Sequence, residues 1–203
     1  MKRWLSVFVV TASVAMMIVP SRSQGQTVNR VVSQYFRWNG SESSTQTPLT
    51  KVIYSHTFFV PTLSTGGPKY NVAYFSVHLV GDASCAAPSG VPFCKSNQGL
   101  ACTIDGTLNA NACPIGAANT AASGGLPYVI FNGTVDPGST GETNMSYTWC
   151  VPIKTAGTHT FRLFLGSFNV KASSSQAFAE AGMVNIDLAT LPSASACTAA
   201  PNL

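Results

Sequence analysis

The sequence predicts an all-β protein: a single antiparallel β-sandwich, jelly-roll or immunoglobulin-like, with a disulfide-stapled insertion. Apolar and polar side chains alternate with a period of two in several segments, as they do in strands with one buried face. Gly- and Pro-containing turns separate these segments, and no stretch has the apolar spacing of an amphipathic helix. The 203 residues, 45% of them hydrophobic, favour one domain with a sizeable core.

The N-terminal 25 residues have the layout of a secretory signal peptide. Lys2 and Arg3 precede an almost wholly apolar run from 4 to 19, which ends at Pro20 and is followed by small residues. This run is shorter than the roughly 20 residues that a membrane span needs. Residues 1–25 are therefore predicted to be a signal peptide, with an uncleaved N-terminal anchor as the alternative. The mature chain, 26–203, is expected to be secreted, periplasmic or on the cell surface.

Seven segments of the mature chain read as strands. Between 70 and 80, for example, Phe75 and Val77 fall on one face, whereas Tyr74 and His78 fall on the other. The predicted strands are 28–36, 51–60, 70–80, 128–135, 145–151, 158–166 and 183–188. Seven or eight short strands between turns are typical of a sandwich or a jelly roll.

Residues 84–126 interrupt this rhythm. They are rich in Ala, Gly, Ser, Asn and Cys and contain few large apolar side chains. A loop of this length is uncommon unless it is functional or restrained, and disulfides supply such a restraint. We therefore predict an insertion between two strands, acting either as a recognition loop or as a cap over one end of the barrel or over a sheet edge.

All six cysteines lie in the mature chain, and their even number on an exported chain indicates disulfides. Four fall within 85–113, which suggests two local bridges there, while the other two would tie the C-terminal tail to a strand. Their spacing lacks the C-x-x-C pairs of a zinc site, so no metal is predicted on them. The six are Cys85, Cys94, Cys102, Cys113, Cys150 and Cys197.

The charge distribution excludes nucleic acid as a partner. The chain has 11 basic and 7 acidic residues, and Lys2, Arg3 and Arg22 leave with the signal peptide, so the mature net charge is about +1. The remaining basic residues are scattered, whereas phosphate binding requires a clustered basic surface. No later segment is long and apolar enough to span a membrane after signal cleavage.

Aromatic residues supply the candidate ligand site. Tyr35 and Trp38 lie near the mature N-terminus, and Tyr147 and Trp149 share one face of a predicted strand. Aromatic rings with amide and hydroxyl neighbours suit sugar binding, because apolar sugar faces stack on rings. The alternative is that Trp149 is a core residue beside a Cys150 bridge, a common arrangement in sandwiches.

No catalytic constellation or cofactor motif emerges, so no catalytic residue and no cofactor are predicted. The three histidines, His56, His78 and His159, have no spacing that requires a shared metal. Glu180 and Asp187 are seven residues apart, so on one regular strand they would face opposite ways. Two loops carry oxygen ligands suited to calcium, although turn formation explains the same residues. The calcium candidates are Asp105, Asn109, Asp136 and Glu142.

The favoured function is a non-catalytic secreted or cell-surface protein for ligand binding, adhesion or structural assembly. Carbohydrate or another surface protein would be its partner. One alternative is a secreted carbohydrate-active hydrolase or lyase, which needs two converging carboxylates. The other is a subunit of a surface filament or of a trimeric jelly-roll assembly, which makes a homo-oligomer. An exposed apolar flank of Tyr54, Phe58 and Phe164 would favour that assembly.

Overall fold

The computed structural model describes residues 28–44, 51–86, 89–90, 94–114, 129–135, 140–170, 174–193 and 197, so the predicted signal peptide lies outside them. Eight strands and one short helix make up the described fold. They are β1 (Val28–Ser44), β2 (Lys51–Val60), β3 (Val72–Ala86), β4 (Cys94–Ile104), α1 (Leu108–Asn111), β5 (Val129–Val135), β6 (Thr140–Pro152), β7 (Gly157–Val170) and β8 (Ser174–Ala189). No helix in this part of the chain is long and apolar enough to cross a bilayer.

The strands form two four-stranded antiparallel sheets, which confirms the predicted β-sandwich. The first sheet has the order β1-β8-β3-β6, and the second has the order β2-β7-β4-β5. The first strand pairs with the eighth, the second with the seventh, the third with the sixth and the fourth with the fifth. This is one long antiparallel hairpin rolled into two layers, so the sandwich is of the jelly-roll kind.

The core lies between the two sheets and is built from the apolar residues of the alternating pattern. Phe75 and Val77 of β3 and Phe161 and Leu163 of β7 are completely buried. The rings of Phe75 and Phe161 stack across the core with their centroids 4.6 Å apart. Burial of these side chains, one sheet against the other, is the main favourable contribution to folding.

The strand β4 lies inside the segment predicted to be an insertion, where the sequence predicts no strand. This strand occupies the interior of the second sheet, between β7 and β5, and Leu100, Ala101 and Thr103 are buried there. Because both faces of the strand are covered and many of its side chains are small, it lacks the period-two alternation that revealed the others. Gln98, also buried, donates a hydrogen bond to the carbonyl of Asp82 on β3 and so links the sheets.

Two disulfides close the fold in the places that the cysteine distribution suggests. Cys102 of β4 is bonded to Cys113, which follows α1, and the Cys113 amide donates to the Cys102 carbonyl at 2.8 Å. Cys150 of β6 is bonded to Cys197 in the C-terminal tail. Cys85 is also disulfide-bonded. Such cross-links limit the freedom of the unfolded chain and so stabilise the folded one.

The apolar flank that would have favoured a subunit contact is not exposed. Tyr54, Phe58 and Phe164 are all less than a tenth exposed. Phe58 packs edge-on against Phe75, and Tyr54 packs against Phe161 in the core. This flank therefore offers no surface for association.

Candidate functional site

The outer face of the first sheet carries a row of exposed side chains that crosses all four strands. Strand register places Tyr35 of β1 opposite Met183 of β8, Met183 opposite His78 of β3, and His78 opposite Ser146 of β6. Tyr35 is 57% exposed and Met183 is 43% exposed, and His78 and Ser146 are also on the surface. We call these four residues the outer row.

A shallow depression of about 450 Å³ surrounds the outer row. Val80, Asn144 and Ala181 line it together with the row itself. The Ser146 hydroxyl and His78 Nδ1 lie 2.9 Å apart, within hydrogen-bonding distance. The depression therefore combines an aromatic ring and a thioether with hydroxyl, amide and imidazole groups.

Gly182 leaves room for the Phe36 and Leu79 side chains beneath the depression. A Cβ atom at this position would come within 2.9 Å of the Phe36 ring and of the Leu79 side chain. The Phe36 ring instead packs inward, with its centroid 4.9 Å from that of Tyr54. Because side chains alternate along β1, inward packing of Phe36 directs Tyr35 to the solvent.

The opposite end of the same face is covered by the C-terminal tail. Val72, Ala189 and Cys197 form a small buried cluster there, separate from the main core. The tail is anchored by the Cys150–Cys197 disulfide and by two hydrogen bonds of 2.8 Å that the Asn71 side chain makes with the backbone of Leu191. The tail therefore covers this end of the sheet, the closed end, whereas no described segment covers the end with the outer row, the open end.

Among the three aromatic candidates whose side chains the structure describes, only Tyr35 lies on this open surface. Tyr35 is in the outer row, whereas Trp149 is 1% exposed and belongs to the core, so its prediction as a ligand contact is wrong. Tyr147 shares the inner face of β6 and meets Trp149 edge-on, with ring centroids 4.8 Å apart. Trp38 is part of β1, but its side chain lies outside what the structure describes.

At Asp105, one of the calcium candidates, both carboxylate oxygens make contacts within the protein, and calcium binding there stays a prediction. Oδ2 lies 2.5 Å from His159 Nδ1, and Oδ1 accepts a hydrogen bond from the Thr160 amide at 2.6 Å. The other candidate side chains, at Asn109, Asp136 and Glu142, lie outside the described residues. In the described part of the chain, no three His, Cys, Asp or Glu residues group in a way that could hold a metal ion.

The acidic residues of β8 do not form a hydrolase pair. Arg30 binds Asp187 through two hydrogen bonds of 2.8 and 3.1 Å, and this contact holds the Arg30 pKa above its ordinary value. Glu180 sits at an irregularity of the same strand, seven residues away, which corresponds to roughly 23 Å. Glycosidase carboxylates lie about 5–10 Å apart. These two acids therefore cannot act on one glycosidic bond.

The residues that complete the outer row were not identified as a group from the sequence. The alternation along β3 predicts that His78 faces outward, and it does. Met183 and Ser146 were not singled out, because their proximity to Tyr35 depends on strand register between segments about 150 and 110 positions apart. No single-sequence signal carries that register.

Comparison with known proteins gives no family for the chain. No family model matches it, and no curated protein matches it. Two similar solved structures are those of the infectious bursal disease virus Gx and Gt strains, each 10% identical to this chain. They cover 96% and 94% of this chain with TM-scores of 0.33 and 0.26. The chain spans about half the length of either, 49% and 48%. Likeness at this level does not identify a function.

Proposed function

We propose that this chain is an exported, non-catalytic jelly-roll protein that binds carbohydrate on the outer face of its first sheet. The outer row is the observation that carries the proposal. The Tyr35 ring, 57% exposed, offers a flat apolar surface for a sugar ring. His78 and Ser146 lie in the same row and offer hydrogen-bonding groups to sugar hydroxyls. The two disulfides support export, because such bonds persist in oxidising compartments.

The rigidity of the platform supports binding by a preformed surface. Each residue of the outer row stands on a strand that is paired in an antiparallel ladder, so its backbone is already ordered. Ligand binding then costs less conformational entropy than it would on a mobile loop. The depression of about 450 Å³ falls within the range of about 300–1,000 Å³ for ligand sites. Since it is open, it suits a saccharide that lies across the strands.

The hydrogen bonds of the histidines favour binding over hydrolysis. Ser146 and His78 are the nearest approach to a nucleophile and a base, but no described carboxylate contacts His78 to orient it. The one described His–carboxylate pair is His159 with Asp105, and there Nε2 faces the Thr155 carbonyl at 3.0 Å. That nitrogen is not free to take a proton from a substrate.

A glycan array, followed by calorimetric titration of the saccharides that bind, tests the proposal. Replacing Tyr35 by Ala should weaken binding by about tenfold or more, which corresponds to about 1.4 kcal/mol. Phe59→Ala is the matched control, because Phe59 is an aromatic residue of the second sheet with 58% exposure. It should leave affinity unchanged.

Two outcomes would overturn this assignment. Equal losses in the two variants, or no binding to any saccharide, would remove the outer row as a carbohydrate site. Turnover of a polysaccharide by the purified protein would instead show that the chain is an enzyme.

A further inference from the structure

The interior strand β8 is interrupted at Glu180, next to the outer row. Ala181 and Ala179 each pair with a residue of β1 on one side and with a residue of β3 on the other, whereas Glu180 between them pairs with neither strand. Glu180 is therefore the extra residue of a β-bulge in both ladders. Bulges re-aim side chains and are over-represented beside functional sites, which makes this one a feature to explain.

The bulge directs the Glu180 side chain outward at the open end. Ala179 is 2% exposed and belongs to the core, whereas Ala181 lines the depression around the outer row. In a regular strand these two residues would share a face, so the chain changes face between them. Glu180 lies at this change and is exposed, and the inner face of β8 is the core. Its carboxylate therefore stands on the outer face, beside the depression.

Arg37 brings a guanidinium to the same place from β1. It pairs with Ala181 and lies two positions beyond Tyr35, so it shares the outward face with that ring. Its side chain is exposed, and within the described part of the chain it makes no ion pair with Glu180 or with any other acid. The guanidinium and the carboxylate are therefore both free to contact a ligand that lies on Tyr35.

The charges on this face favour a neutral saccharide. Arg30 is neutralised by its ion pair with Asp187, and the charges of Arg37 and Glu180 offset each other. Asp82 of β3 adds one negative charge further along the face. These five are the charged residues of the face whose side chains the structure describes. An acidic sugar would meet no excess of positive charge there, so electrostatic complementarity does not select it.

We propose that Arg37 and Glu180 bind two adjacent hydroxyl groups of a neutral saccharide whose ring stacks on Tyr35. The inference rests on the carbohydrate site proposed above and names two residues that set its specificity. A guanidinium offers N–H donors in a planar fork and a carboxylate offers two acceptor oxygens, whereas a sugar hydroxyl both accepts and donates. Hydrogen bonds to charged groups are stronger than those between neutral groups, so the pair discriminates against a sugar that lacks either hydroxyl.

Two sets of probes test the ligand class on the natural chain. The neutral set holds oligosaccharides of glucose, galactose and mannose, and the acidic set holds uronic-acid and sulfated oligosaccharides. We expect binding from the neutral set, with affinity changing less than about twofold between about 0.05 and 0.5 M salt, because the ligand carries no charge to screen. Preferential binding of the acidic set, lost at high salt, would overturn the proposal.

Deoxy forms of the bound sugar test the hydroxyl pair. When each ring hydroxyl is replaced in turn by hydrogen, affinity should fall by about tenfold or more at two adjacent positions, because the charged partner is then left without its hydrogen bond. Losses that are equal at every position, or absent, would overturn the proposal.

Arg37→Lys and Glu180→Gln give the readout on the protein. Lysine keeps the charge but lacks the fork, and glutamine keeps the shape but loses an acceptor, so each should weaken binding by about fivefold or more. Each variant should also lose discrimination between the complete sugar and one of its deoxy forms, which a purely structural change would not cause. Lys154→Ala, at an exposed cation in the turn before β7, is the control and should leave affinity unchanged.

The outcomes separate this inference from the carbohydrate site itself. Binding that depends on Tyr35 but keeps full affinity in Arg37→Lys and Glu180→Gln would overturn the inference and leave the site standing. Absence of binding to any saccharide would remove the site and this inference with it. Circular dichroism checks that the variants fold, and if one does not, the deoxy series on the natural chain decides.

Discussion

The two ends of the first sheet's outer face differ although the same strands build both. Val72 and Val80 lie on the same face of β3, yet Val72 is fully buried and Val80 is 46% exposed. The tail covers the first, and no described segment covers the second. Strand alternation decides which side chains point away from the core. The path of the chain after β8 decides which of these are exposed to solvent. The open end is thus the part of this face that remains for a ligand.

The two ends are also held in different ways. The closed end is fastened from outside, by the Cys150–Cys197 disulfide over the sheet. The open end is fastened from the core side, where the Tyr54 hydroxyl on the second sheet donates to Gln34 Oε1 of β1 at 2.8 Å. The outer row can therefore stay uncovered while its strands are held from the core side.

The largest effect should follow from removing the tail's anchor. In Cys150→Ala/Cys197→Ala, the closed end loses a cross-link between positions 47 residues apart, and Val72 and Ala189 become open to solvent. We expect the free energy of unfolding to fall by about 2–4 kcal/mol, measured by denaturant titration. Saccharide affinity at the outer row should persist while the fold does. A loss below about 0.5 kcal/mol would show that the tail does not secure this end.

A pair of equal substitutions compares the two ends directly. Val72→Ala removes methyl groups from a closed cluster and should cost about 2 kcal/mol of unfolding free energy. Val80→Ala removes the same groups from an exposed position and should cost less than about 0.5 kcal/mol. Denaturant titration of both variants gives the difference. Similar costs would mean that Val80 is covered in the native protein, by a second copy or by another partner.

The sequence predicts which way the side chains of these strands point better than it predicts which strands pair with one another. The segment predicted as a strand at 51–60 coincides with β2, and the outward direction of His78 follows from alternation alone. The strand β4 was not predicted, because its small residues, buried on both faces, show no period of two. Tyr35 was a candidate from its type, but its association with Met183 depends on register between the first and last strands. Long-range register is a property of the packed sheets, and it leaves no local pattern in the chain.

The smallest effect should come from the hydrogen bond under the open end. Tyr54→Phe keeps the ring but removes the bond to Gln34, so we expect the free energy of unfolding to fall by about 1 kcal/mol near neutral pH.

Burial raises the pKa of Tyr54 above its ordinary value of 10.0, because the ionised form is poorly solvated in the folded chain. As the pH rises through about 10, the unfolded chain releases this proton first, so the stability of the natural protein should fall. The variant should lack that part of the alkaline loss, as measured by denaturant titration at about pH 8 and pH 10.5. Tyr35→Phe, at an exposed tyrosine next to Gln34 on β1, is the control and should leave the free energy of unfolding at about pH 8 unchanged. If Tyr54→Phe keeps the full alkaline loss, the open end is not secured from below by this residue, and the contrast between the two ends rests on the tail alone.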